Sequence, residues 1–204
     1  GVELARARTA VDAAIGEAHR EVQRIEARPG RGAGTTVSGV VLAEVAGEPY
    51  WIVVNLGDSR TYRLARGVLE QISVDHSEVQ ELIDAGTVTR AQAAHHPRRH
   101  VVTRAIGAAG GIDVDYWLLP VSRGDRMLVC SDGLTGELSD HDVAATLLAE
   151  SDPQAAADRL EYPLVRDEGL TLKTATWNDA LRRAATAIRQ GLERSGPEGF
   201  AVIG

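Results

Sequence analysis

The sequence predicts an α+β fold, and three observations carry that prediction. Stretches rich in β-branched and aromatic residues follow one another in a block, "TTVSGVVLAEV" and then "YWIVVNLGDSRTYRLARGVLEQI". Segments with apolar residues at helical spacing stand before and after that block. Strict alternation of strand with helix, the mark of a doubly wound parallel sheet, is missing.

Val11, Ile15, Ala18, Val22 and Ile25 recur at helical spacing with charge between them, so the chain should open on an amphipathic helix ended by Pro29-Gly30. From Gly34 the period shortens, and three or four antiparallel strands are expected, the last pair turning at Ala65-Arg66-Gly67. "EVQELIDAGTVT" reads as a short helix with Gly86 as its C-cap. "IDVDYWLLPV" and "DRMLVC" read as two more strands, with Arg123-Gly124-Asp125 turning between them. Ser139 caps a helix carrying Val143, Thr146, Leu147 and Ala149, and Asp152-Pro153 opens the next. After Leu160 the character changes. Thr176 caps a helix with Trp177, Leu181, Ala184, Ile188 and Leu192 on one stripe, Gly196-Pro197 ends it, and "FAVIG" begins a short strand.

Composition excludes several classes. With 44% hydrophobic residues in 204, the chain can build a packed core. A formal charge of −7 with dispersed basic residues lacks the electrostatic footprint of a nucleic-acid binder. Cys130 is the single cysteine, so no intramolecular disulfide forms, and a cytoplasmic, reducing compartment is expected. No run approaches the ~20 apolar residues that span a bilayer, so no membrane partner is expected. A first residue Gly1 in place of methionine reads as a processed or truncated chain.

The stretch "LVCSDGLT" runs an apolar strand into Asp132 and Gly133. A cysteine-nucleophile phosphatase needs an arginine six residues after its cysteine, and here that position is Gly136. A phosphoaspartyl mechanism needs a second acid two residues before Asp132, and that position is Cys130. What remains is metal coordination, since a carboxylate held at a strand end suits hard ions such as Mg²⁺ and Mn²⁺.

Five motifs occur in order: "GAGTT", "VVNLGDSRTYRL", "VDHSEVQELIDAGTVT", "HPRRHVVTRAIG" and "DRMLVCSDGLTGELSD". Together they resemble the bacterial metal-dependent protein serine/threonine phosphatases of the PPM (PP2C-like) family, over about residues 10 to 160. The resemblance implies a β-sandwich flanked by helices, with a centre of two or three Mn²⁺ or Mg²⁺ ions at one edge. It implies phosphoprotein substrates carrying phosphoserine or phosphothreonine. Asp132 matches the metal-bridging acid and catalytic position of the family's "SDG" motif. Asp75, in "VDHS", matches an acid that looks like a ligand of the third metal. Gly57, Asp58, Ser59 and Arg60 match the family's "GDSR" hairpin, which speaks for the fold more than for the chemistry. Residues 76–100 match a flap overhanging the cleft. Within it His95, His96 and His100 read as flap surface, and His76 as a local hydrogen-bonding residue.

Several motifs of the family have no match. The early acidic motif, the "Asp-Gly-Met-Gly-Gly" motif and an N-terminal phosphate-binding arginine are absent, so the sandwich is read as N-terminally truncated. The last acidic motif is replaced, and Arg166-Asp167 is at most its remnant. The expectation is a phosphatase domain over residues 1–160 with weak or no turnover. A non-catalytic phosphoprotein-binding or scaffold module is the alternative.

Residues 161–204 form a diverged or unrelated tail with an extra helix and short strand. "EYPLVRDEG…TATWNDALRRAATAIRQGLERSGPEGFAVIG" resembles an early segment of molybdopterin-dependent oxidoreductases of the formate dehydrogenase type, without their cofactor ligands. It makes an oxidoreductase fragment a third reading. An exposed sheet edge gives a homodimer as a further expectation.

Overall fold

The first helix, α1 (Val2–Gln23), lays its apolar stripe on a sheet. Ile15 is buried with Val54, Leu56 and Ile106, and Val11, Ala18, Val22 and Tyr116 pack around them. Burying one such side chain stabilises the fold by roughly 1.5–3 kcal/mol. Ile25 does not join the stripe as the spacing suggested. The helix ends at Gln23, and Ile25 is 52% exposed beyond it. The protein is seen here as a computed structural model describing residues 2–28, 31–109, 111–161, 164–166 and 172–174. The expected tail helix and "FAVIG" strand, and Asp167, lie outside the described residues, as do Pro29 and Gly30.

After a small pair, β1 (Glu26–Arg28) with β2 (Arg31–Gly32), come β3 (Val37–Val45) and β4 (Glu48–Leu56). Next are β5 (Arg60–Ala65) and β6 (Val68–Gln71), then α2 (Glu78–Asp84) and α3 (Arg90–Ala93). β7 (Asp115–Pro120) and β8 (Arg126–Cys130) lead into α4 (Asp132–Glu137) and α5 (Asp140–Ala149). Among the described residues these strands make two three-stranded antiparallel sheets, ordered β3-β4-β7 and β6-β5-β8. They face each other with β3 over β8 and β5. This is the predicted α+β class, and the sandwich agrees with the resemblance.

Three links inside the sandwich are polar. Ser38 Oγ and Thr61 Oγ1 lie 2.8 Å apart, and Thr36 Oγ1 and Ser59 Oγ 2.9 Å apart, each joining one layer to the other. A third link is the Arg63–Asp125 pair at 2.7 Å, with Trp51 Nε1 donating to the same Asp125 oxygen at 3.3 Å.

The β5–β6 turn falls where expected, with Arg66 (φ 52°) and Gly67 (φ 79°) both left-handed, as a tight hairpin turn requires. Two expected connections differ in kind. The Gly57–Arg60 stretch is not a hairpin, because β4 lies in one sheet and β5 in the other. The Arg123–Asp125 turn likewise carries the chain between sheets. Both are corners, as a sandwich needs when consecutive strands change layer.

Helix ends follow local chemistry. Ser77 Oγ accepts from the Gln80 N–H at the start of α2, while Ala85 is the C-cap and Gly86 stands one residue beyond it. Thr89 and Gln92 form a reciprocal capping box on α3. Ser139 Oγ accepts from the Asp142 N–H, and Asp142 accepts in return from Ser139. After β8 the chain enters α4 directly at Asp132, with Ser131 as N-cap.

The chain divides into two compact units, Gly1–Ala144 and Ala145–Gly204. In the second, α6 (Pro153–Glu161) starts where Asp152 accepts from the Gln154 N–H at 2.9 Å. Arg159 there pairs with Glu150 at 2.9 Å, and β9 (Leu164–Arg166) pairs antiparallel with β10 (Leu172–Thr174). Among the described residues, no helix is long and apolar enough to cross a membrane.

Candidate functional site

Strand register brings together two acids that lie far apart in sequence. β5 and β8 pair with Arg60 opposite Cys130. Two residues back along one strand and two forward along the other reach Asp58 and Asp132 at the same end of the sheet. Both line a cavity of about 380 Å³ that Asp75, Asp140 and Arg60 also line. Arg90, Arg99 and His100, from the segment expected to overhang a cleft, line it as well.

Asp58 is held by the corner it stands on. Gly57 adopts φ +119°, and a Cβ there would come within 2.2 Å of Thr36 Cγ2, so no other residue fits without displacement. The Gly57 N–H donates to His76 Nδ1 at 3.1 Å, and the His76 N–H donates to the Gly57 carbonyl at 2.9 Å. Asn55 Nδ2, fully buried, donates to the same carbonyl at 3.0 Å. Because Nδ1 accepts, the ring proton belongs on Nε2, which faces Asp115 Oδ2 at 3.0 Å. His76 thus bonds locally, as read from the sequence.

Electrostatics mark Asp58 more than its neighbours. Burial raises its pKa above the ordinary carboxylate value, and the Asp132 charge raises it further. Asp75 adds a smaller push, against a lowering by the residue's own backbone and by Arg60. Asp75 itself is engaged. Arg60 Nε reaches its two oxygens at 2.9 and 3.0 Å, Arg60 Nη2 donates at 2.6 Å, and Gln71 Nε2 at 3.0 Å. Burial of Arg60 works against its charge, but the Asp75 bonds outweigh it and raise the guanidinium pKa. The Tyr62 hydroxyl is pushed up to about 12, first by burial, and donates to Asp140 Oδ1 at 3.2 Å. Cys130 Sγ is likewise raised to about 11 by burial, which rules it out as a neutral-pH nucleophile.

Asp132 is about half exposed, and its Oδ2 lies 3.6 Å from His100 Nδ1. Among the described residues, no group of three or more His, Cys, Asp or Glu side chains converges to hold a metal ion. Asp58 and Asp132 offer two carboxylates of the hard-oxygen type, and Asp75 offers oxygens already bound by Arg60. That set does not fit a centre of two or three metal ions. Of the residues singled out in the sequence, Asp132 and Asp75 both reach the cavity, while His96 turns its Nδ1 to the Arg98 N–H at 3.3 Å. Asp58 was read as a fold residue only. The signal that could have found it is its mirrored position to Asp132 across the β5–β8 pair.

No family model matches the chain. It is 35% identical over 127 residues to the serine/threonine phosphatase stp of Listeria monocytogenes, covering 62% of this chain and 49% of that protein. The solved serine/threonine phosphatase of S. agalactiae superposes with a TM-score of 0.69 at 32% identity, over 78% of this chain and 64% of that one. The catalytic domain of the serine/threonine protein phosphatase PstP, solved in complex with two manganese ions, superposes with a TM-score of 0.61 at 31% identity. That match covers 77% of this chain and 62% of the other. The chain spans about half the length of the Listeria relative. Sequence and fold both relate it to bacterial PPM/PP2C-type serine/threonine phosphatases.

Proposed function

We propose that residues 1–160 carry a PPM/PP2C-type phosphatase domain, without the family's N-terminal metal-binding motifs, of the kind that removes phosphate from phosphoserine and phosphothreonine in proteins. The observation that carries this reading is the cavity that Asp58 and Asp132, from the ends of paired strands, line together with Arg90 and Arg99. Relatives with this fold are serine/threonine phosphatases, and PPM phosphatases are metal-dependent.

In this reading Asp132 is the principal metal-facing carboxylate, with Asp58 beside it and Asp75 completing the acidic floor. Mn²⁺ or Mg²⁺ is the cation such oxygens favour. The chain's own contributions are to hold Asp58 rigid through Gly57, His76 and Asn55, and to fix the Asp75 carboxyl in place through Arg60. The described carboxylates do not complete a multinuclear centre, so no hydrolytic step is assigned to them. Turnover by the chain alone is expected to be weak or absent, because metal ions supply most of the transition-state stabilisation in such chemistry.

The test is hydrolysis of p-nitrophenyl phosphate by the purified chain across a Mn²⁺ titration, beside Asp132→Asn. Slow Mn²⁺-dependent turnover lost in the variant supports the assignment. Turnover that survives Asp132→Asn overturns it. The incomplete ligand set also favours a second reading, a phosphoprotein-binding module, which predicts no turnover from a folded chain that still binds phosphopeptide.

A further inference from the structure

The segment from His95 to Thr103 is fastened along one side. Arg98 pairs with Glu78, the Glu78 N–H donates to the Val101 carbonyl at 2.9 Å, and the Thr103 N–H donates to the His76 carbonyl at 2.8 Å. Two adjacent arginines therefore have different fates. Arg98 is consumed in anchoring the segment, whereas Arg99 lines the cavity and pairs with no carboxylate of a described residue. Arg90, from α3, lines the same cavity and is likewise without a carboxylate partner among the described residues. Arg60 and Asp75, which line the cavity too, compensate each other.

An anion entering the cavity meets Arg99 and Arg90 as cationic groups that no described carboxylate engages. Two guanidinium groups match a dianion better than a single carboxylate, and the planar fork of arginine suits phosphate oxygens. A volume of about 380 Å³ admits a modified side chain and its neighbours. We propose that Arg99, with Arg90 lining the same cavity, receives the phosphate group of a phosphorylated peptide. This rests on the phosphatase reading above and names the residue through which that site selects its ligand.

The experiment is fluorescence anisotropy with a labelled phosphothreonine peptide and its unphosphorylated twin, in EDTA at low salt, so that binding is read without turnover. Wild type should prefer the phosphorylated peptide. Arg99→Ala should weaken that peptide by roughly 10–100-fold, the scale of a lost charge-assisted contact, and leave the unphosphorylated one unchanged. Arg99→Lys should recover part of the loss, and Arg123→Ala, an exposed arginine of the β7–β8 turn, should lose nothing. Equal binding of the two peptides by wild type overturns the inference, as does an Arg99→Ala variant that binds like wild type. Asp132→Asn keeps the two readings apart. It should bind phosphopeptide no more weakly, and a wild-type chain that shows no Mn²⁺-dependent turnover yet keeps Arg99-dependent binding strikes the phosphatase reading alone.

Discussion

His76 and Gly57 hold each other by two reciprocal hydrogen bonds, ring nitrogen to one backbone amide and backbone amide to the other's carbonyl. The buried imidazole therefore takes the place of a ladder bond at a corner where the sheet pairing stops. His76→Ala leaves the Gly57 N–H buried and unpartnered and opens a void, and should cost about 2–4 kcal/mol. His76→Asn, whose amide oxygen stands close to the position of Nδ1, should recover part of it. Urea denaturation of the three proteins checks both expectations.

Burial and the charge of Asp132 both resist the ionisation of Asp58 and outweigh the help it has from its backbone and Arg60. Asp58→Asn removes that repulsion. The metal-free variant should be more stable than wild type, with Tm higher by roughly 1–3 °C. Any Mn²⁺-induced rise in Tm should shrink in the same variant. Differential scanning fluorimetry with and without Mn²⁺ reads both.

Asp125 responds to acid in the opposite sense. Burial pushes its pKa up, but the Ser122 N–H, Arg63 and Trp51 outweigh this and lower it below the ordinary value. Its contribution is complete above the unfolded pKa of about 3.9 and is lost as pH falls through the lowered folded value. Asp125→Asn, which leaves Arg63 buried and unpaired, should destabilise by about 3–5 kcal/mol at pH 7. The gap to wild type should narrow below about pH 4. Chemical denaturation at pH 7 and pH 3 tests the sign.

Cys130 should be chemically quiet. With its thiol pushed up to about 11, only on the order of one molecule in a thousand or fewer carries thiolate near pH 7.5. Ellman's reagent should react far more slowly with the native chain than with the same chain in guanidinium, where one thiol titrates promptly.

Much of this architecture was legible from local pattern. The β-branched runs became β3 to β8, and Ser139 and Asp152 start the helices they were expected to start. What escaped was long-range. Asp58 sits in a glycine-flanked stretch, where an acid is ordinarily a turn former, and its meeting with Asp132 depends on the pairing of two strands distant in sequence. Asp75 is bound by an arginine fifteen positions earlier, a contact created by the corner and not by spacing. The change of sheet between β4 and β5 was hidden for a related reason. A glycine at positive φ signals a bend in either case, and only the partner strands reveal which layer the chain enters next.

The hydroxyl pairs Ser38–Thr61 and Thr36–Ser59 also bear on how the two layers find their alignment. Valine faces pack comfortably in more than one offset, so an all-apolar interlayer leaves sliding weakly opposed. A slip of one position along β3 would set Val37 or Gly39 opposite Thr61 and strand a hydroxyl in a dry interior. The two pairs therefore act as an index mark. They make one stacking of the layers far better than its neighbours, and with it one placement of the corner that carries Asp58.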